Sequence, residues 1–146
     1  MPFSAHASCF MTGAEKGIGA FLNGERLAVS SIDDPRRAAV STGNLKSLAK
    51  SEGWEKLGEV VASADRIRGY GDFYHYHLLA AGKIEAVIES DVNILDIAAL
   101  SVLVTEAGGV FTDLNGDPPG LGTRSVLAAK PALHPHYLEL LRGFVA

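Results

Sequence analysis

Two carboxylates seven residues apart, Glu89 and Asp96, are the groups in this chain best placed to do chemistry. Asp96 stands at the mouth of a helical segment that closes on Glu106-Ala-Gly-Gly109. The first turn of a helix carries unpaired N–H groups and the positive end of the macrodipole, so a carboxylate there can hold a cation and the mouth can meet a phosphate. An Asp at a helix start can also be an ordinary cap. Glu89 falls at a strand end, so both carboxylates can face one cleft above the carboxyl ends of the strands, where such sheets bind ligands. Taken alone, Glu89 reads equally well as a solvated strand-end group. Asp72, just ahead of Phe73, Tyr76, Leu78 and Leu79, reads as the cap of the helix they form.

Other reactive residue types carry less. His75 and His77, and again His134 and His136, form H-x-H pairs, but two residues apart on a helix do not share a face, so neither pair is read as a metal site. Cys9, the single cysteine, has no neighbouring base to activate it and is read as a core or strand residue. No G-x-S-x-G elbow is present, and Gly17-Ile18-Gly19 is too short for a dinucleotide or Walker phosphate loop.

The elements that must position these groups follow from pattern. Ala20-Phe21-Leu22 and Arg26-Leu27-Ala28-Val29 flank Asn23-Gly24, the strongest short hairpin signal, inside β-structure that runs from Phe10 to Ser30. Gly13, Gly17 and Gly19 mark tight turns upstream. After the polar connector Ser31–Arg37, the run from Ala38 to Thr42 reads as a buried strand ending at Gly43-Asn44. Apolar residues recur at helical spacing from Leu45 to Ala64, with Gly53 and Gly58 positioned to split the segment. A short strand from Arg66, a helix stopping at Gly82, and a strand over Ile84–Glu89 with one buried face come next. The Asp96 helix spans Ile94–Ala107, Val110–Thr112 and Ser125–Ala129 are strands, and Pro135–Phe144 is an amphipathic helix. Strands alternating with helices after Ala38 predict an α/β layer on a parallel or mixed sheet, α+β overall once the antiparallel first third is counted. The expected division is a hairpin segment over 1–37 and an α/β subdomain over 38–146.

At 146 residues, 47% of them hydrophobic and 21% charged, the chain suits one layered unit with a real core. No run approaches the roughly eighteen apolar residues of a membrane helix. The first residues lack the pattern of a secretory signal. A single cysteine fits a reducing cytoplasm. The net charge of −4 and the lack of a Lys/Arg cluster argue against nucleic acid as a partner.

The segment LDIAA followed by EAGG resembles the W-D-x-A-A and E-A-G-G signature of the inositol monophosphatase family of Mg²⁺-dependent phosphomonoesterases. GIGAFLNGERLAVS is similar to the family's G-x-G-A-F-L-N-G hairpin, and RGYGDFYHYHLLAAG is similar to its histidinol-phosphatase branch. The resemblance implies the C-terminal half of a layered αβαβα sugar-phosphatase fold. It implies that Asp96 is a Mg²⁺ ligand, that Glu89 contacts a substrate hydroxyl or amine, and that Asp72 lies beside the substrate pocket, able to meet a cationic amine or imidazolium. Departures exist: the family's Trp and Pro ahead of the metal Asp are Leu95 and Ile94 here.

The family's D-P-x-D-G-T loop, which supplies most metal ligands and cradles the phosphate, does not occur in these 146 residues. Mg²⁺ prefers six oxygens, so one carboxylate should hold it weakly, on the order of millimolar or poorer. No catalytic residue is therefore assigned, and the chain by itself is expected to release no phosphate. The expected ligand is a small phosphorylated metabolite, engaged once a separate N-terminal half complements the chain. The alternative is a non-catalytic remnant that buries its bare surface in a homodimer. Neither reading includes a membrane or a nucleic acid.

Overall fold

The computed structural model describes residues 11–143, so the readings of Cys9, Phe10 and Phe144 fall outside the described residues. The chain opens with β1 (Thr12–Glu15), β2 (Gly19–Leu22) and β3 (Glu25–Arg26), an antiparallel sheet in that order. The turn between β2 and β3 is where the N-G pair put it. Asn23 and Gly24 have φ of 50° and 83°, the doubly positive geometry that matches strand twist in a two-residue hairpin. Gly13 lies inside β1 opposite Phe21, which corrects its reading as a turn. β3 stops at Arg26, short of the expected Val29. Val29 N–H donates instead to Ala107 O at 3.0 Å, tying the exit of the hairpin to a helix end.

The larger sheet contains β4 (Ala39–Gly43), β5 (Arg66–Arg68), β6 (Ala86–Ser90), β7 (Val110–Thr112) and β8 (Ser125–Ala129) in the order β5-β4-β6-β8-β7. β4 is parallel to β5 and β6, while β8 is antiparallel to both β6 and β7, so the sheet is mixed. The helical stretch after β4 divides into α1 (Leu45–Lys50) and α2 (Trp54–Ser63); the break lies at Ser51–Gly53, and Gly58 is simply inside α2. The remaining helices are α3 (Tyr74–Ala80), α4 (Ile94–Glu106) and α5 (His134–Leu140).

Side-chain alternation explains the layering. Ala86 and Ile88 of β6, with Leu127 and Ala129 of β8, join Leu57, Val60, Tyr137 and Leu141 on one face. Val87, Val126 and Ala128 join Tyr76, Leu79, Ile97 and Val104 on the other. All five residues of β6 are buried, which corrects the expectation of one buried face. A central strand covered by helices on both sides has no solvent face, and alternation along it then separates two cores. The small sheet packs on the far side of α4, where Ala20, Ala80 and Ala107 leave room for close approach to Leu103. The result is four layers, α–β–α–β.

α4 itself is apolar nearly all round, as a helix between two sheets should be. Ile97, Leu103 and Val104 are buried, yet Leu95, Ala98, Ala99 and Val102 remain exposed along one stripe. Its C-terminus is closed by Gly108 at φ 91°, with Gly109 N–H donating to Val104 O and Gly108 N–H to Thr105 O, the paired bonds of a Schellman end. No helix among the described residues is long and apolar enough to cross a membrane.

A buried histidine, His134, and a half-buried one, His77, are expected to make the stability of this fold depend on pH. Thr112 Oγ1 donates to Asp113 O and so can accept from His134 Nε2, 2.8 Å away. Burial lowers the pKa of His134, and that of His77, below the ordinary 6.5. The unfolded chain takes up these protons below about pH 6.5, whereas the folded chain resists them, so stability is complete above that value and declines as pH falls through it. The thermal midpoint is expected to drop between about pH 7.5 and 5.5, and less steeply in His134→Gln, which keeps a donor without a titratable ring. Parallel melts of the two proteins across that range make the check.

Candidate functional site

β4 and β6 run parallel, so their carboxyl ends emerge side by side, with Gly43 directly opposite Glu89. The chain leaves β6 through a turn and enters α4 within a few residues, which brings the first turn of α4 to the same end of the sheet. The loop between β5 and α3 arrives there too. Together these segments enclose a pocket of about 270 Å³ whose lining includes Asp72, Glu89, Asp91 and Asp96. The three carboxylates singled out from sequence therefore share one cavity, and Asp91 adds a fourth.

Glu89 is 7% exposed and does not behave as a solvated strand end. Its Oε2 accepts from the Tyr76 hydroxyl and lies 3.2 Å from His75 Nε2. Burial, and then the charge of Glu89 and the hydrogen bond to it, push the Tyr76 phenol well above its usual range, so it stays a donor. His75 is fully buried and its Nδ1 is 3.1 Å from Ser41 Oγ on β4. Gly43 completes the fit: a Cβ there would sit 2.4 Å from Glu89 Oε1 and 2.8 Å from its Cδ. The carboxylate occupies the space that a side chain at position 43 would need.

Asp96 is exposed and lies in the first turn of α4, but it is not the cap. Asn93 caps the helix, its Oδ1 accepting from Leu95 N–H at 2.9 Å and Asp96 N–H at 3.3 Å, while its side-chain amide donates to Asp96 Oδ2. This leaves Asp96 free of helix-capping work. Asp72 does not cap α3 either. The residue at that position is Phe73, with no side-chain bond, and Asp72 sits one residue earlier in a turn with φ 47°. A left-handed residue cannot direct its side chain back to the helix amides as an extended cap does.

Backbone strain concentrates at this end of the sheet. Asn44, Asp72 and Asp91 all have positive φ, at 53°, 47° and 58°, and all line the pocket. Left-handed backbone costs a non-glycine residue about 1–2 kcal/mol and persists where the surroundings over-determine it. Asn44 is held by its amide donating to Ser90 O at 2.6 Å, across the two parallel strand ends.

The histidine pairs diverge. His77 turns to Thr12 Oγ1 at 3.0 Å, away from His75, and His136 stacks edge-on to Tyr137 while His134 is buried. Among the described residues no three His, Cys, Asp or Glu side chains converge on a point that one ion could occupy. A divalent ion that wants six oxygens finds in these residues a donor set that is too small. Asp96 could contribute to such a site but does not compose one.

The sequence pattern of the inositol monophosphatase family matches residues 6–145. The chain belongs to that family. It is 35% identical over 135 residues to a histidinol-phosphatase of Mycobacterium tuberculosis, covering 89% of this chain and 52% of that protein. It is 33% identical over 141 residues to inositol monophosphatase 1 of Bos taurus, covering 88% and 50% respectively. Among solved structures, the fold superposes on extragenic suppressor protein suhB of Bartonella henselae with a TM-score of 0.82 and 27% identity, over 92% of this chain and 53% of that one. An inositol monophosphatase of Zymomonas mobilis gives 0.84 and 25%, over 90% and 53%. The chain spans about half the length of the curated relatives it matches.

Within the inositol monophosphatase frame, sequence reasoning missed the residues that hold Glu89. His75 and Tyr76 share the buried face of α3 with Leu79 and Ala80, and a polar ring on an apolar face demands a partner. That signal was readable, although the partner was not. Gly43→Ala should drive its Cβ into a carboxylate that Tyr76 and His75 prevent from moving, costing about 1–3 kcal/mol. Gly58→Ala, in an open helix position with nothing within 4 Å, should instead gain about 0.5–1 kcal/mol. Urea denaturation of both variants tests the pair; equal stabilities would refute the steric account.

Proposed function

We propose that this chain is the substrate-side portion of a Mg²⁺-dependent phosphomonoesterase whose substrate is a small phosphate ester carrying a cationic group, of the histidinol-phosphate type. The observation that carries this reading is the charge of the pocket. Asp72, Glu89, Asp91 and Asp96 line it, and no Lys or Arg does. An amine or imidazolium entering there meets carboxylates from two directions, Glu89 on the strand end and Asp72 on the facing loop. A neutral polyol such as inositol can hydrogen-bond to Glu89 but gives Asp72 no charge to balance. The name of the Mycobacterium relative points the same way. In this reading Asp96 supplies one ligand to Mg²⁺, and carboxylates from outside these residues supply the others.

A specific surface favours a partner. The stripe Leu95, Ala98, Ala99 and Val102 on α4 is exposed, with Leu95 at 90%, beside the small sheet, whose edge strands among the described residues are β1 and β3. Edge strands and an exposed apolar stripe suit further structure laid over α4. A complementing N-terminal half of the kind the relatives carry fits both features; a second copy of this chain, giving a non-catalytic homodimer, is the competing occupant.

The test is Mg²⁺-dependent phosphate release from L-histidinol phosphate and from inositol phosphate. It is run on the chain alone and on the chain co-expressed with the half of the Mycobacterium relative that these residues do not match. Release only in the combined sample, with histidinol phosphate preferred, is the expected outcome. Asp72→Asn should then lower kcat/KM for histidinol phosphate about 10-fold with little effect on inositol phosphate, since one cation–carboxylate contact is worth about 1.4 kcal/mol. Turnover by the lone chain, or equal losses on both substrates, would overturn the reading. Light scattering that shows a monomer for the chain alone and a one-to-one complex with the added half would exclude the homodimer.

A further inference from the structure

A single hydrogen-bonded line runs from the β5–α3 loop to Glu89 in the pocket wall. Tyr70 N–H donates to Ser41 Oγ at 3.2 Å; Ser41 Oγ is 3.1 Å from His75 Nδ1; His75 Nε2 is 3.2 Å from Glu89 Oε2. The direction of each bond follows from what the ends can do. A backbone N–H only donates and an ionised carboxylate only accepts. The Glu89 carboxylate therefore takes Nε2–H, and Ser41 Oγ, which accepts from Tyr70, keeps its own hydrogen to donate to an unprotonated Nδ1. The Nε2–H tautomer satisfies every group in the line. With Ser41 and His75 both 0% exposed, bulk water does not reach either side chain.

The line joins Glu89 to the loop that carries Asp72. Tyr70 belongs to the loop that carries Asp72, and the same loop crosses the end of β4 closely enough that a Cβ on Gly69 would lie 3.4 Å from Thr42 O. At its other end, Oε2 of Glu89 is taken by His75 and Tyr76, while Oε1 has no protein hydrogen bond among the described residues. Simple core filling would not need this arrangement, because a Leu at position 75 would fill apolar space without a polar line to satisfy.

We propose that His75 is a positioning residue whose relay from the Tyr70 backbone through Ser41 fixes Glu89 with Oε1 toward the ligand and holds Asp72 in register with it. The two carboxylates then act as one receptor for a cationic group. This rests on the reading of the pocket given above, and its test is chosen to separate the two. Histidine-ring NMR of the unsubstituted chain should show His75 as the Nε2–H tautomer with a slowly exchanging proton. Ser41→Ala should move the Tyr70 and Gly71 amide resonances together with those of the His75 ring. L-Histidinol and its amine-less counterpart, 3-(imidazol-4-yl)propan-1-ol, serve as binding probes.

His75→Gln can place an amide donor where Nε2–H stands, whereas His75→Asn reaches only the Ser41 side. His75→Asn should weaken L-histidinol binding about 10-fold and lose the preference for it over the amine-less probe, while His75→Gln stays within about 3-fold of the parent. An Nδ1–H tautomer, or unchanged binding in His75→Asn while Glu89→Gln weakens it, would sink the relay. Absence of L-histidinol binding by the parent chain would sink the cation receptor instead, with the tautomer and the Ser41→Ala shifts still deciding the relay. If both His75 variants fail to fold, those two NMR measurements decide it.

Discussion

A carboxylate buried at the end of a fully covered strand must be compensated on every side, and the arrangement of this molecule around Glu89 follows from that requirement. Transfer of an unpaired charge out of water costs many kcal/mol, so Glu89 can be where it is only because donors reach it from α3. Tyr76 and His75 both supply hydrogen to the same oxygen. Their approach demands that α3 pack against the sheet, that Ser41 meet the imidazole at Nδ1, and that position 43 carry no side chain. Removal of one partner would leave the others with unmet polar groups, and such networks fail as units.

The parallel pairing of β4 with β6 gives that carboxylate a pocket to face. Parallel strands deliver their carboxyl ends to the same edge, and the chain must turn sharply at each to reach the next helix. Asn44 and Asp91 make those turns in left-handed backbone, and Asp72 does the same where the β5–α3 loop arrives. The strained residues are thus the ones that close the pocket around its acidic lining. Asparagine and aspartate tolerate this conformation better than most residues, which explains why short polar side chains recur at the rim.

α4 links this site to the second sheet. One of its faces packs on the large sheet and another on the hairpin, through small alanines that let the layers meet closely. Glu106 at its far end accepts from Gly17 N–H at 2.9 Å, and Ala107 O accepts from Val29, so the helix that presents Asp96 is anchored at its other end by the hairpin. Displacement of the hairpin would be felt at the helix whose first turn borders the pocket.

Local chemistry alone determined much of this protein. The Asn23-Gly24 hairpin, the stop of α4 at Gly108-Gly109, the stop of α3 at Gly82 and the place of Asp96 in a first helical turn each depend on residues within a few positions of one another, and all were legible in the chain. A parallel or mixed sheet was legible from the alternation of strands and helices, the antiparallel place of β8 deciding for mixed, and the spacing of Glu89 and Asp96 pointed to a shared cleft. Tertiary structure alone decided what those carboxylates meet. Ser41 and His75 are 34 residues apart, His75 and Glu89 are 14 apart, and Gly43 faces Glu89 only because β4 and β6 pair in one particular register. It also decided that Asp72 leaves the cap position and that β6 is buried on both faces, since hydrogen bonding and burial between distant segments outweigh the local preferences by which a sequence is read.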